Sequence, residues 1–197
     1  WTEYVSSGNP ADVHGRRYDH LGAPQGDAFR MNTYRTGRQD DPAVALDAAG
    51  NGVVVWDSDI QDGNGGVYAQ RFDAAGQPVG AEFRVSTSNE TWLRNAENPT
   101  VAMEEGGSFV IAWSDLRPDT WNREIYVRRY DAQGRDHGPE FRVNTWTPGD
   151  QNRPSAAMDA EGGFVVTWGG CWELDGGAQE IFARRYDAQG RPESVEF

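Results

Sequence analysis

Residues 57–66 read Asp-Ser-Asp-Ile-Gln-Asp-Gly-Asn-Gly-Gly, so Asp57, Asp59, Asp62 and Asn64 are oxygen donors in a glycine-rich frame. Hard oxygen donors on a chain able to wrap suit Ca2+. The spacing is not that of an EF-hand loop, and stretches 114–124 and 169–180, which match this one in position, do not repeat it. A solvated acidic turn is the alternative. A second set is aromatic. Trp92, Trp121, Trp146, Trp172, Tyr4 and Tyr34 lie in connecting segments. A flat apolar body with one polar handle suits sugar stacking or a protein interface. The alternative is that these rings fold back as satellite core.

Nucleophilic and acid–base chemistry finds no constellation. His14 lies in a strand-like run, and His20 and His137 fall near turns. None shares a motif with a nucleophile. Cys171 is the only cysteine, which excludes a disulfide framework within the chain and a paired-cysteine zinc site. Its run Gly169-Gly-Cys-Trp172 reads as a loop. Spacing does not pair the carboxylates into an acid and a base. Asp47 to Trp56 is similar to the Asp-box of sialidase propellers, with the wrong Asp–Gly–Trp spacing. Asn89-Glu-Thr91 matches a glycosylation acceptor.

The elements that must position these residues repeat. Phe29, Phe83, Phe141 and Phe197 are separated by steps of 54, 58 and 56 residues. Pro42 to Trp56, Pro99 to Trp113 and Pro154 to Trp168 each span 14 residues. Trp1 and Tyr18 keep the register of Trp56 and Phe72, so the first residue is already a repeat landmark. The content is a partial repeat 1–28 and repeats 29–82, 83–140 and 141–197, read as a single repeat domain.

Each repeat carries four short runs with strand character, for example Ser108-Phe-Val-Ile-Ala-Trp113 and Ile125-Tyr-Val-Arg-Arg-Tyr130. Asp47-Ala-Ala-Gly50, Asp73-Ala-Ala-Gly76, Asp131-Ala-Gln-Gly134, Asp159-Ala-Glu-Gly162 and Asp187-Ala-Gln-Gly190 punctuate them, twice per repeat. Asp accepts local backbone hydrogen bonds, and Gly at the fourth position takes a left-handed conformation. Such turns close antiparallel hairpins. The expected fold is all-β, a β-propeller of four-stranded antiparallel blades with about 3.5 repeats in the chain. Four blades, or part of a larger ring, would close it, with further repeats from upstream residues, a second chain or a longer polypeptide. A linear stack of meanders is the alternative.

Recurrence also assigns structural roles. Trp56, Trp113 and Trp168 are expected in the core between sheets. Arg17, Arg71, Arg129 and Arg185 share one third-strand position, and Glu82, Glu140 and Glu196 open the fourth strand. A repeated Arg–carboxylate or Arg–aromatic contact between strands or blades is expected.

The strings Phe141-Arg-Val-Asn-Thr145, Gly163-Phe-Val-Val-Thr-Trp168 and Ile181-Phe-Ala-Arg-Arg-Tyr-Asp-Ala-Gln-Gly190 resemble tandem repeats of large secreted or surface-attached bacterial proteins. The resemblance covers essentially the whole chain. It implies an extracellular, periplasmic or cell-surface location and a non-enzymatic structural or adhesive role. It implies protein subunits or further repeats as partners, and it carries over no catalytic residue. A lectin-like propeller binding glycan is the second reading, and a glycosidase of propeller fold the third. No cofactor is expected beyond the Ca2+ of residues 57–66. The net charge of −13 argues against nucleic acid and anionic membrane as partners. All 18 basic residues are Arg. No apolar run is long enough for a membrane span.

Overall fold

The computed structural model describes residues 1–4, 11–63, 65–87, 96–117, 121–171 and 179–197. The fold is an all-β propeller of antiparallel sheets, each one blade. Blade 1 holds β1 (Thr2–Tyr4), β2 (Ala11–Gly15) and β3 (Phe29–Arg30). Blade 2 holds β4 (Gln39–Leu46), β5 (Gly52–Ser58), β6 (Gly66–Phe72) and β7 (Pro78–Arg84). Blade 3 holds β8 (Ala96–Met103), β9 (Phe109–Leu116), β10 (Arg123–Tyr130) and β11 (Phe141–Arg142). Blade 4 holds β12 (Gln151–Met158), β13 (Phe164–Cys171) and β14 (Gln179–Tyr186). Phe197 then pairs with Ala183 through two backbone hydrogen bonds of 2.8 and 3.1 Å, which starts a fourth strand on blade 4. Among the described residues no helix is long and apolar enough to cross a membrane.

Register confirms the landmarks. Trp56, Trp113 and Trp168 sit opposite Tyr68, Tyr126 and Phe182. Trp1 and His14 exchange two 2.9 Å hydrogen bonds, so His14 is the strand residue that recurrence implied. Among the described residues blade 1 thus comprises the second half of its second strand, its third strand and its fourth. The Asp–Gly turns form as expected. Asp19, Asp47, Asp73, Asp131, Asp159 and Asp187 each accept two backbone N–H groups through Oδ1. One expectation fails: Gly169-Gly-Cys171 continues β13 instead of forming a loop. Gly170 belongs there because a Cβ would meet Gln151 Oε1 at 2.3 Å and the Phe182 ring at 2.8 Å.

The core lies between blades. Strand alternation gives each sheet a tryptophan-bearing face and an aliphatic face. Val54, Trp56 and Tyr68 of blade 2 pack on Val13 of blade 1. Phe109, Ile111 and Trp113 of blade 3 pack on Val53, Val55, Val67 and Ala69 of blade 2. Phe164, Val166 and Trp168 of blade 4 pack on Val110, Ala112, Ile125 and Val127 of blade 3. Trp56, Trp113 and Trp168 are at most 1% exposed. Their indole N–H groups find partners too. Trp56 and Trp168 donate to Gln39 and Gln151 at 3.1 and 3.0 Å. In blade 3 Ala96 stands where the glutamine would be, and Trp113 turns to Asp115 at 3.5 Å.

Arg17, Arg71 and Arg129 do join blades, but through backbone carbonyls and not the carboxylates or rings expected. Each donates to the Asp–Gly turn of the next blade: Arg17 to Ala75 at 2.6 Å, Arg71 to Ala132 and Gln133 at 2.8 and 2.5 Å, and Arg129 to Ala188 at 2.8 Å. The several donors of a planar guanidinium can also reach clustered turn carbonyls. The glutamates run the other way. Glu82 and Glu196 accept from both N and Oγ1 of Thr33 and Thr145, and Glu140 accepts from Thr87 N. The aromatic contacts belong to the arginines one position earlier. Arg128 and Arg184 lie over Tyr130 and Tyr186 at 6.0 and 5.7 Å.

Candidate binding rim

Strand pairing places the second-to-third strand loops beside the first residues of each inner strand. Gln39 faces Ser58, and Asp40 faces Asp57. One rim of the propeller thus collects these loops and the connections between blades.

Three inner strands carry the same irregularity at this rim. The register shifts between Asp40 and Ala43, between Glu97 and Thr100, and between Asn152 and Ser155. Within each bulge, Asp41, Asn98 and Arg153 have φ of 48°, 52° and 51°. Each precedes a proline. Left-handed backbone at a non-glycine residue costs on the order of 1–3 kcal/mol and persists only where its surroundings enforce it. Bulges of this kind re-aim a side chain. Asn98 Nδ2 donates to Asp41 Oδ2 at 3.2 Å, so blades 2 and 3 meet through these residues. The repeat thus has one variable position per blade, filled by a carboxylate, an amide and a guanidinium. Sequence reading missed it. A residue before proline is biased towards extended backbone, so the only available signal was the recurrence of X-Pro at the head of the strand.

The carboxylates around these positions are paired with arginine. Asp40 is ion-paired with Arg38. Arg38 sits 5.9 Å from the Tyr4 ring, and the Tyr4 hydroxyl donates to Asp40 at 3.3 Å. Hydrogen bonding with Tyr4, and then Asp40 and Asp59 against some loss to burial, hold Arg38 above its ordinary pKa. Glu97 is 2.6 Å from Arg123. Arg117 bridges Asp115 and Glu140 at 3.1 and 3.2 Å and lies 3.9 Å over Tyr126. Desolvation works against the charge of Arg117, and Asp115, Tyr126 and Glu140 outweigh it.

The expected rim aromatics divide. Trp121 is 60% exposed, with left-handed backbone at φ 56°. Tyr4 is exposed, and Tyr34 and Trp146 are half-buried. Tyr34 and Trp146 are equivalent residues with one anchor. Buried Asn32 and Asn144 donate to their carbonyls at 2.7 Å and accept from Val13 N and Ile125 N at 2.7 and 2.8 Å. The recurrent Asn of Phe141-Arg-Val-Asn144 was the signal for that anchor. Trp92 and Trp172 lie outside the described residues, as do Asn89 to Thr91.

Among the described residues of the acidic loop, Asp57, Asp59 and Asp62 are not gathered as a set. Asp57 is buried within β5, and Asp59 is half-buried. Asp62 is exposed, lies within the single turn Gln61–Gly63 with φ 55°, and accepts the Tyr68 hydroxyl at 2.9 Å. Burial first, and Asp62 second, push the Tyr68 hydroxyl well above its ordinary value. Asn64 lies outside the described residues. Among the described residues no group of three or more His, Cys, Asp or Glu side chains is arranged to hold a metal ion.

No family model matches the sequence, and no curated protein matches it. Solved structures do. An endo-1,5-alpha-L-arabinanase from Thermotoga petrophila matches with TM-score 0.50 at 15% identity, over 80% of this chain and 42% of its own. An endo-1,4-beta-xylanase from Bacteroides thetaiotaomicron matches with TM-score 0.51 at 12% identity, over 100% of this chain and 75% of its own. An alpha-L-arabinofuranosidase from Lactobacillus brevis matches with TM-score 0.54 at 12% identity, over 98% and 74%. This chain spans between 42% and 75% of those proteins. The likeness is to five-bladed propellers, and at these identities it shows the fold alone.

Proposed function

We propose that this chain is a non-catalytic extracellular module for binding and assembly, a propeller that presents its rim to other proteins or to a surface. One observation carries the reading. The three re-aimed inner-strand positions hold Asp41, Asn98 and Arg153, and the neighbouring carboxylates Asp40, Glu97, Asp115 and Glu140 are engaged in ion pairs with arginine. Glycoside hydrolysis generally needs two carboxyl groups flanking one bond. Mixed donors and acceptors on a rigid rim instead suit recognition. The rim arginines and Trp121 are of the types that dominate protein interfaces. A screen over arabinan, xylan and other polysaccharides is expected to give no turnover. Turnover abolished by Asp41→Asn would overturn the reading.

A second reading is carbohydrate binding without catalysis. It is favoured by the exposed Trp121 ring on the same rim as half-buried Trp146. Glycan-array binding lost in Trp121→Ala, with an unchanged melting temperature, would select it. Ca2+ on residues 57–66 is a separate proposal. A chelator should then lower the melting temperature, and Asp59→Ala should remove that sensitivity.

A further inference from the structure

The three blade junctions use one set of contacts, and both ends of the arc display half of that set. On the aliphatic face of blade 4, Ile181 is 78% exposed, whereas Val67 and Ile125 at the same position of blades 2 and 3 are fully buried. Phe197 is 65% exposed. Its counterparts Phe29, Phe83 and Phe141 meet Phe72, Tyr130 and Tyr186 of the next blade at 6.1, 5.5 and 5.4 Å. A groove of about 320 Å3 runs between Phe197, Val165, Met158 and Arg185. Arg185 is exposed, and among the described residues its guanidinium reaches no turn.

Blade 1 shows the other half. Trp1 is 54% and Tyr18 58% exposed. At the turns of blades 2, 3 and 4, a Cβ on Gly76, Gly134 or Gly190 would strike the arginine of the preceding blade at 2.7–2.8 Å. A Cβ on Gly22, in the equivalent turn of blade 1, would meet nothing within 4 Å. Among the described residues no arginine donates to the carbonyls of His20 and Leu21, which correspond to those that Arg71 binds.

We infer that these two faces are the docking surface for one further blade of the same repeat, contributed by polypeptide that continues the repeat in register. That blade would lay its tryptophan face on Ile181, Val165 and Phe197 and receive Arg185 in its Asp–Gly turn. Its aliphatic face would cover Trp1 and Tyr18, and its own third-strand arginine would cross Gly22. The occupant is a single blade because the four blades of this chain match five-bladed propellers over most of its length. A second whole copy seated on blade 4 would drive its second blade into blade 1. One contact is missing from the inferred junction with blade 1. Ala28 stands where the other blades have glutamate, so the Glu–Thr tie is absent there. The inference deepens the assembly reading, and its test is independent of any screen for turnover.

Phe197 is in register with Phe141, so a copy of residues 142–197 followed by a copy of residues 142–167 can be joined directly after Phe197. The extended chain is expected to fold with Trp1 as poorly quenched by acrylamide as Trp56, and with a raised melting temperature. Arg185→Ala should lower the melting temperature of the extended chain as Arg129→Ala does, and leave the unextended chain unchanged. Trp1 remaining fully quenchable, an extended chain that fails to fold, or an Arg185→Ala effect confined to Arg185-dependent self-association of the unextended chain would each overturn the inference. If Trp1 is buried yet a polysaccharide is cleaved, the blade stands and only the non-catalytic reading falls.

Discussion

Trp113 and Trp1 occupy the same position of the same repeat, one fully buried and the other 54% exposed. The register is equivalent, with His14 facing Trp1 as Tyr126 faces Trp113; the neighbouring sheet differs, and among the described residues Trp1 also has no inner strand of its own blade beside it. A blade therefore does not bury its own tryptophan. It supplies half an interface, and its neighbour supplies the rest, as in other repeat architectures where each unit contacts only its neighbours. Stability should track junctions rather than blades, and equivalent substitutions at junctions and ends should separate the two.

Tryptophan offers the widest separation. Trp113→Ala should cost about 3–5 kcal/mol, the range for a buried large aromatic. Trp1→Ala should stay within about 0.5 kcal/mol, as at an ordinary surface position. Urea denaturation of both variants measures the gap, and equal losses would break the comparison.

Adjacent glycines sharpen it within one strand. Gly170 faces the junction with blade 3 and Gly169 faces the open side. Gly170→Ala should cost about 1–3 kcal/mol through overpacking against Gln151 and Phe182. A Cβ on Gly169 would meet its nearest neighbour at 3.5 Å, an ordinary contact, so Gly169→Ala should be close to neutral. Thermal melts of the two single variants are the check.

The arginines come next. Arg129 binds Ala188 of the next blade and His137 of its own, at 2.8 and 2.9 Å. Its loss should cost about 1.5–3 kcal/mol, the range for hydrogen bonds to a charged group. Arg185→Ala should be nearly silent in the chain as it stands.

How legible these features were follows from how local their causes are. The Asp–Gly turns are four-residue devices whose donors and acceptors lie in the same short string, so they could be read directly. The strand tryptophans were legible through recurrence. The targets of Arg17, Arg71 and Arg129 were not, because the acceptors are backbone carbonyls, which every residue carries. The left-handed Asp41, Asn98 and Arg153 were hidden for a different reason. Local preference before proline points the other way, and only the packing of the inner strands overrides it. Cys171 was misplaced because three small residues in a row look like a loop until Gln151 and Phe182 claim the space beside Gly170.

One expected effect is confined to alkaline pH. Burial pushes the Tyr186 hydroxyl up to about 12, against about 10 in an unfolded chain. The folded state then holds its proton more tightly than the unfolded state. The associated stability is fully present below pH ~10 and is lost as pH rises towards ~12. Tyr186→Phe should flatten that part of the profile, and Phe72 shows that phenylalanine fits the same position in blade 2. A profile unchanged by the substitution would mean that Tyr186 does not contribute to it.

The most direct test compares the four strand tryptophans in one sample. The chain is labelled with 5-fluorotryptophan, and the resonances are assigned by single Trp→Phe variants. The 19F shift of each is then compared in H2O and D2O at a dilution where the chain is monomeric. The account predicts a solvent isotope shift at Trp1 and none at Trp56, Trp113 or Trp168. A Trp1 as protected as the other three would mean that the ends of the arc close on each other, and would contradict the open junction on which the account rests.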